Sequence, residues 1–281
     1  MNLNEATALP VGKFPRRLVV KKKSSDLIEA VVDVLEERLR MRLSECKPKP
    51  LGLATGRTMR PLYKELVARL QSWPVPRLEK LLDNWCSFNL DEYVGLSASD
   101  SESFITYMTQ YIGHPLKLSP DKLRVPNGRS GDPQREASSY REELRICGGV
   151  SIQILGLGVN GHLGFNEPPC GPDTSCRVVN LSPSTREQNA FAFHGNPDLV
   201  PSHAITLGLE EILSADEIHL IVSGESKAEI VSSLLAQPAS DSLPASWLKQ
   251  HPNVFLWADY SALGKVNRDW LSFNNISGQL S

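Results

Sequence analysis

The sequence predicts an α/β fold, a mostly parallel sheet covered by helices on both faces. Two observations carry this. Short apolar runs alternate with amphipathic stretches along most of the chain, and several of the runs stop at glycines and open onto polar side chains. Alternation of this kind builds β-α-β units. Apolar runs that empty into glycine-punctuated polar turns are where such proteins build sites, because ligands bind beyond the carboxyl ends of the strands.

At 281 residues, 41% hydrophobic and 22% charged, with a formal net charge of -2, the chain can bury one sizeable core, and a single domain over residues 1–281 is the simplest reading. Nothing in that charge points to nucleic acid or an anionic membrane, so the charge of any ligand has to be met locally. The five cysteines, Cys46, Cys86, Cys147, Cys170 and Cys176, are odd in number and lack Cys-x-x-Cys spacing. A disulfide framework or a structural zinc site is not expected, and reduced thiols fit a cytoplasmic protein. The opening stretch lacks the apolar core of a signal peptide, and no run approaches the roughly 18 apolar residues of a membrane span. The Asn275-Ile276-Ser277 sequon is set aside, because short motifs of this kind recur by chance.

Leu18-Val19-Val20 predicts a first strand that ends at Lys21, Lys22 and Lys23, a solvated strand end. Ser24, Ser25 and Asp26 offer N-cap chemistry to an amphipathic helix running to about Arg42, with Leu27, Ile28, Val31, Val32, Leu35 and Leu39 on its apolar side. Pro48 and Pro50 break it. Leu51-Gly52-Leu53 predicts the next strand, which runs into Thr55-Gly56-Arg57-Thr58 and a helix carrying Leu62, Tyr63, Leu66 and Leu70. Hydroxyls and free amides at such a junction form a phosphate cradle, because a helix start presents unpaired N–H groups and a positive dipole end. A threonine that merely caps the helix is the alternative. A third run from Trp85 ends at the paired acids Asp91 and Glu92, of which at most one faces a given cleft, since neighbours on an extended segment point to opposite sides. Ser101-Glu102-Ser103-Phe104 predicts another helix start, and turns at Asn127-Gly128 and Gly131-Asp132 precede a helix over about residues 133–146.

The densest signal is residues 152–168, Ile-Gln-Ile-Leu-Gly-Leu-Gly-Val-Asn-Gly-His-Leu-Gly-Phe-Asn-Glu-Pro. A buried strand there delivers Asn160, His162, Asn166 and Glu167 within eight positions. An imidazole and a carboxylate five residues apart meet if the turn folds back, and His162 with Glu167 would then form a hydrogen-bonded proton-transfer pair. Further on, Ser184-Thr185-Arg186 predicts a helix toward Phe193, and residues 204–208 a strand entering a turn. Glu217 to Val222 reads as a strand ending at Ser223-Gly224-Glu225-Ser226-Lys227. Lys227 is either a cation aimed at the same cleft or an exposed helix lysine. Val254-Phe255-Leu256-Trp257 is expected to close the sheet.

Residues 156–168 resemble the signature of the glucosamine-6-phosphate deaminase/isomerase family, Gly-x-Gly-x-[Asp/Asn]-Gly-His-[Ile/Leu]-[Ala/Gly]-Phe-Asn-Glu-Pro. The related 6-phosphogluconolactonases share the Gly-His pair but continue toward Ser-Leu-Phe-Pro, so Phe165-Asn166-Glu167-Pro168 points to the deaminase branch. Phe88-Asn89-Leu90-Asp91-Glu92-Tyr93-Val94-Gly95 is similar to a second pattern of that family. The resemblance covers residues 18–259 and implies a Rossmann-like three-layer α/β/α sandwich. It implies Asp91 as the carboxylate that moves a proton between C2 and C1, with Glu92 structural. It further implies His162 as ring opener, oriented by Glu167 and accompanied by Asn160, and a phosphate held by Thr55, Gly56, Thr58 and Lys227. No metal or organic cofactor is implied. The implied reaction is glucosamine 6-phosphate plus water to fructose 6-phosphate plus ammonia, with a small-molecule amino-sugar phosphate as the partner and a homo-oligomer left open.

Several places depart from the pattern. Many members have Asp where this chain has Asn160. Cys170-Gly171 stand where the regulated branch has a serine pair, and Val179 near where it has a lysine, so activation by an acetylated sugar phosphate is not expected. The stretch from residue 205 to residue 248 looks more like galactosamine-6-phosphate deaminase/isomerase relatives, which keeps the C4 epimer and a tagatose 6-phosphate product open. Phe191 falls where the glucosamine branch carries a phosphate-binding arginine, and Arg57 stands where relatives have a small residue, so Arg57 either replaces the missing charge or points to solvent or a surface acid such as Asp83. A lactonase, or a non-catalytic sugar-phosphate sensor of the same fold, remains as a rival class. The sensor would carry an added helix-turn-helix, for which the stretch before the first strand is too short.

Overall fold

The computed structural model describes residues 7–8 and 14–267. The Asn275 sequon and most of the opening stretch lie outside the described residues. β1 (Thr7–Ala8) pairs antiparallel with β2 (Arg17–Lys21). Helix α1 (Ser24–Arg42) follows and buries the apolar stripe that its periodicity predicts. Its N-cap is Lys23, without a side-chain hydrogen bond. Ser24 and Ser25 lie inside the first turn, where Ser25 Oγ donates to Asp26 Oδ1 instead of capping an amide.

β3 (Leu51–Leu53) leads into α2 (Met59–Gln71), and α3 (Val75–Asp83) returns the chain to β4 (Ser87–Asn89). The paired acids are not the end of β4. They open a separate strand, β5 (Asp91–Tyr93). The chain swivels at Leu90, whose N–H donates to Leu53 O while its carbonyl accepts from Leu207 N, so one residue is shared between two sheets. After α4 (Phe104–Met108), one wider turn over residues 109–113 leads to α5 (His114–Leu116) and the short β6 (Leu123–Arg124). α6 (Pro133–Ile146) starts at an Asp132 cap that accepts from Arg135 N and ends where the sequence predicts. β7 (Ile152–Leu155), β8 (Arg177–Asn180), α7 (Pro183–Asn189), β9 (His203–Thr206), α8 (Leu209–Leu213), β10 (Glu217–Val222), α9 (Ala228–Ala236) and β11 (Val254–Asp259) complete the order.

The main sheet runs β1-β2-β11-β10-β7-β3-β4-β6 and is parallel apart from β1. This is the Rossmann-like three-layer arrangement predicted from the sequence. β11 does not close the sheet as expected. It lies inside, between β2 and β10, and all six of its residues are buried, as a parallel strand covered on both faces requires. A second sheet, β5-β9-β8, is antiparallel and pairs Asp91 with Thr206. Its core is a separate aromatic cluster in which Tyr93 meets Phe104, Phe165 and Phe193 at ring separations of 4.7, 5.5 and 5.5 Å.

One polar network crosses the floor of the main sheet. Trp257 Nε1 donates to His219 Nδ1 at 3.0 Å, so Nε2 carries the imidazole proton and donates to Glu217 at 2.8 Å. Arg38 closes the other side of that carboxylate through Nε and Nη2 at 3.0 and 3.1 Å. Burial pushes the Glu217 pKa up, but the hydrogen bonds from His219 and Arg38 outweigh it and hold the group at about 2. Because the folded value lies below the ordinary one, this stabilisation is present above the unfolded pKa and is lost as pH falls toward about 2. Glu217→Gln should therefore cost on the order of 1–3 kcal/mol at neutral pH. Thermal melts of both proteins should converge as pH falls through the range from 4.5 to about 2.

Candidate active site

Four neighbouring strands of the main sheet, in the order β4, β3, β7 and β10, send their carboxyl ends to one rim. The rim surrounds a cavity of about 290 Å³, lined among others by Thr55, Gly56, Arg57, Thr58, Asp91, His162 and Lys227. Candidate residues up to 172 positions apart in sequence are thus brought together because parallel strands all point the same way.

The loop after β3 is fixed from behind. Tyr63 Oη donates to Ala54 O and accepts from Ala54 N, and Tyr107 Oη donates to Gly56 O at 2.9 Å. α2 begins only at Met59, and the amides of Gly56, Arg57 and Thr58 donate to no other described residue. The loop therefore presents free N–H groups and two hydroxyls at a helix start, the donor set an anionic oxygen needs.

Asp91 is 5% exposed, and its carboxyl accepts no hydrogen bond from a described residue. Burial, reinforced by the neighbouring charge of Glu92, drives its pKa well above the ordinary carboxylate value. Glu92 points the other way, as the alternation of an extended segment demands. It accepts from the amides of Tyr93, Phe104 and Ile105 at 2.8, 3.0 and 2.9 Å and so holds the start of α4. Burial raises Glu92 to about 7 against the pull of those three amides. Gly164 keeps the way to Asp91 open. A Cβ on it would stand 3.1 Å from both Asp91 Oδ2 and Thr206 Oγ1, and its φ of +59 is one that glycine adopts most readily.

His162 lies on the 156–164 turn with its ring laid against Gly158, where a Cβ would stand 2.3 Å from ring atoms. The His162 backbone N–H and Nδ1 both approach Asn160 Oδ1, at 3.3 and 2.6 Å. The backbone donor fixes that amide as the acceptor, so Nδ1 carries the proton and Nε2 keeps its lone pair. Burial lowers the His162 pKa to about 4, with the Lys227 charge adding to the effect and Glu167 opposing it. The imidazole is neutral at physiological pH.

The expected His162–Glu167 hydrogen bond is not formed. Glu167 accepts instead from Ser182 N at 3.2 Å, from Ser182 Oγ at 2.8 Å and, in a shorter contact, from Thr185 Oγ1. Ser182 is the N-cap of α7. A helix start offers several donors in one place and a favourable dipole, and these hold the carboxylate more firmly than one imidazole N–H would. Glu167 acts on His162 through charge only, and Asn160 takes the orienting contact.

Lys227 ends a 3₁₀ turn after β10, and its pKa is lowered by burial and by the charge of Arg57. Asp259, at the end of β11, holds that turn by accepting from Ser223 Oγ, from Gly224 N at 3.1 Å and from Ala262 N at 2.9 Å. Arg57 does not meet Asp83 or any other acid among the described residues. Its guanidinium lies 4.9 Å from the centre of the Phe191 ring. Sequence reasoning missed Asp259, Tyr63, Tyr107, Ser182 and Arg60. Asp259 carried the same signal used elsewhere, a polar residue closing an apolar run, and Arg60 is one helical turn after Arg57. Among the described residues no group of three or more His, Cys, Asp or Glu side chains is placed to hold a metal ion.

Asn160→Asp would set a carboxylate where the amide oxygen now meets Nδ1 and should raise the His162 pKa from about 4 toward neutrality, which NMR titration of the ring protons measures.

The chain matches the family model for glucosamine-6-phosphate isomerases/6-phosphogluconolactonase over residues 22–257. It is 36% identical over 253 residues to glucosamine-6-phosphate deaminase 2 of Bacillus subtilis, covering 89% of this chain and 97% of the relative. It is 39% identical over 251 residues to a glucosamine-6-phosphate deaminase of Staphylococcus haemolyticus, covering 89% and 98%. Among solved structures, one described as a monomeric glucosamine-6-phosphate deaminase superposes with a TM-score of 0.80 at 34% identity, covering 88% of this chain and 99% of its own. The 6-phosphogluconolactonase from Trypanosoma brucei superposes with a TM-score of 0.69 at 19% identity over 89% and 98%, a likeness of fold alone. No helix among the described residues is long and apolar enough to cross a membrane. With its strand-end signature, its cavity and a family match over most of its length, this chain belongs to the glucosamine-6-phosphate isomerase/6-phosphogluconolactonase family.

Proposed function

We propose that the chain is a deaminase/isomerase that converts glucosamine 6-phosphate and water to fructose 6-phosphate and ammonia. The names of its relatives support the deaminase branch. The observation that carries the chemistry is Asp91, a buried carboxyl on a cavity wall without a hydrogen-bond partner among the described residues. A carboxylate whose pKa is raised by burial is a stronger base than an ordinary aspartate, which is what removing a proton from carbon demands.

In this reading His162 Nε2 takes the proton of the anomeric hydroxyl and returns it to the ring oxygen, which opens the sugar. Asp91 then takes the C2 proton and returns it at C1, while a proton of the C2 ammonium group passes to the C1 oxygen. The imine left at C2 is hydrolysed by water to the ketone, and ammonia departs. Asn160 holds the His162 tautomer that makes Nε2 a base, and Glu167 biases its charge from a distance. Thr55, Gly56, Thr58, Lys227 and Arg57 bind the phosphate and so hold C1 and C2 at Asp91. These steps call on no cofactor. The whole of residues 1–281 is read as one domain working in the cytoplasm, where the five cysteines, free in this structure, stay reduced.

Ammonia release measured side by side on glucosamine 6-phosphate and galactosamine 6-phosphate tests the substrate. The first should turn over with the higher kcat/KM, and a preference for the second would move the assignment to the C4 epimer. Asp91→Asn should lower kcat beyond the roughly 10²- to 10⁴-fold typical of a general base, with substrate binding retained. A variant keeping more than about a tenth of kcat would remove Asp91 from that role. Arg57→Ala should raise KM about 10- to 100-fold with a smaller change in kcat, because phosphate binding remote from the reacting carbons is largely uniform along the reaction.

A further inference from the structure

Phe191 is an anomaly on the cavity wall. It is a large apolar side chain, 42% exposed, that lines the cavity among polar groups. Two guanidinium groups are gathered on it: Arg57 lies 4.9 Å and Arg60 5.7 Å from its ring centre. Arg60 is also 6.0 and 5.9 Å from the rings of Tyr107 and Tyr111. Neither arginine forms an ion pair among the described residues, although both are exposed and the chain has 32 acidic residues to offer.

The choice of partner matters chemically. A carboxylate would occupy the N–H edge of a guanidinium and cancel its charge. An aromatic face holds the same group by its flat side, leaving the charge and the donors that radiate in its plane free for a bidentate anion. It also restricts a side chain that otherwise loses considerable rotamer freedom on binding. Phe191 follows α7 directly, on the segment 190–192, so the ring is placed by the helix whose N-cap holds Glu167.

We infer that Phe191 is a positioning residue for phosphate recognition: its ring pre-orients Arg57, on the 55–58 loop, and Arg60, in the first turn of α2, so that both offer N–H donors to the phosphoryl group of the substrate. This rests on the reading above that the loop is the phosphate end of the cavity. Phe191 itself need touch nothing in the substrate. The ring takes the part of a platform, and the specificity that follows is for a phosphorylated over a neutral sugar.

The test reads phosphate affinity apart from turnover. Binding of inorganic phosphate by calorimetry and KM for glucosamine 6-phosphate are measured in wild type, Phe191→Leu, which keeps apolar bulk without a π face, and Phe191→Trp, which keeps the face. The leucine variant should weaken both about 3- to 10-fold with a smaller fall in kcat, and the tryptophan variant should stay within about 2-fold of wild type. In an Arg57→Ala/Arg60→Ala background Phe191→Leu should have no further effect on either quantity. Unchanged phosphate binding in Phe191→Leu, an equal loss in Phe191→Trp, or a loss of the same size in the arginine-free background would each overturn the inference. If wild type releases no ammonia yet binds phosphate, and Phe191→Leu loses that binding, the platform stands and the deaminase reading falls.

Discussion

Burying a carboxyl group that no described neighbour hydrogen-bonds is costly in its charged form, and the site is organised around that one cost at Asp91. Desolvation there is the source of the raised pKa, and therefore of the basicity, so any donor placed against the carboxylate would remove the property the position supplies. The surroundings are consistent with this. Leu90 turns the chain out of the main sheet, Glu92 takes the available amides for itself, and Gly164 brings backbone close to Asp91 without a side chain to cover it. The rest of the fold pays for the arrangement with two continuous apolar clusters.

Around that carboxyl the functional groups are held in place by neighbouring side chains. Tyr63 and Tyr107 fix the 55–58 loop, Asp259 fixes the turn that carries Lys227, and Asn160 fixes the tautomer of His162. The cations Arg57, Arg60 and Lys227 line the same cavity, so an anion bound there would be met by charge as well as by amides. A chain whose net charge is only -2 would meet a dianionic group in this way, because the field is made locally by the rim and not by composition.

Much of the fold was legible because its strands are buried and parallel. Glu217–Val222 and Pro133–Ile146 coincide with their predicted limits, since each is bounded by a clear change of pattern. The strand ends that carry Thr55, Asp91, His162 and Lys227 were legible for the same reason, whereas the choice of Asp91 over Glu92 and of Thr55 and Lys227 as phosphate groups came from the resemblance. The small antiparallel sheet was not, because strands of three and four residues carry too few positions to show a period. Nor was the partner of Glu167. Which donors a carboxylate meets depends on where a helix start fifteen residues away lands, and no local spacing encodes that. The end-strand assignment of β11 failed because an apolar run specifies burial on both faces but not the neighbour.

If the desolvated Asp91 is the base, titration of its own carboxyl shows it most directly. With aspartate carboxyl carbons labelled with ¹³C and Asp91 assigned by its absence in the asparagine variant, the midpoint should lie clearly above the roughly 3.9 of an unperturbed aspartate and coincide with the acid limb of kcat/KM for ammonia release. A midpoint at or below about 4, or one that does not track that limb, would contradict it.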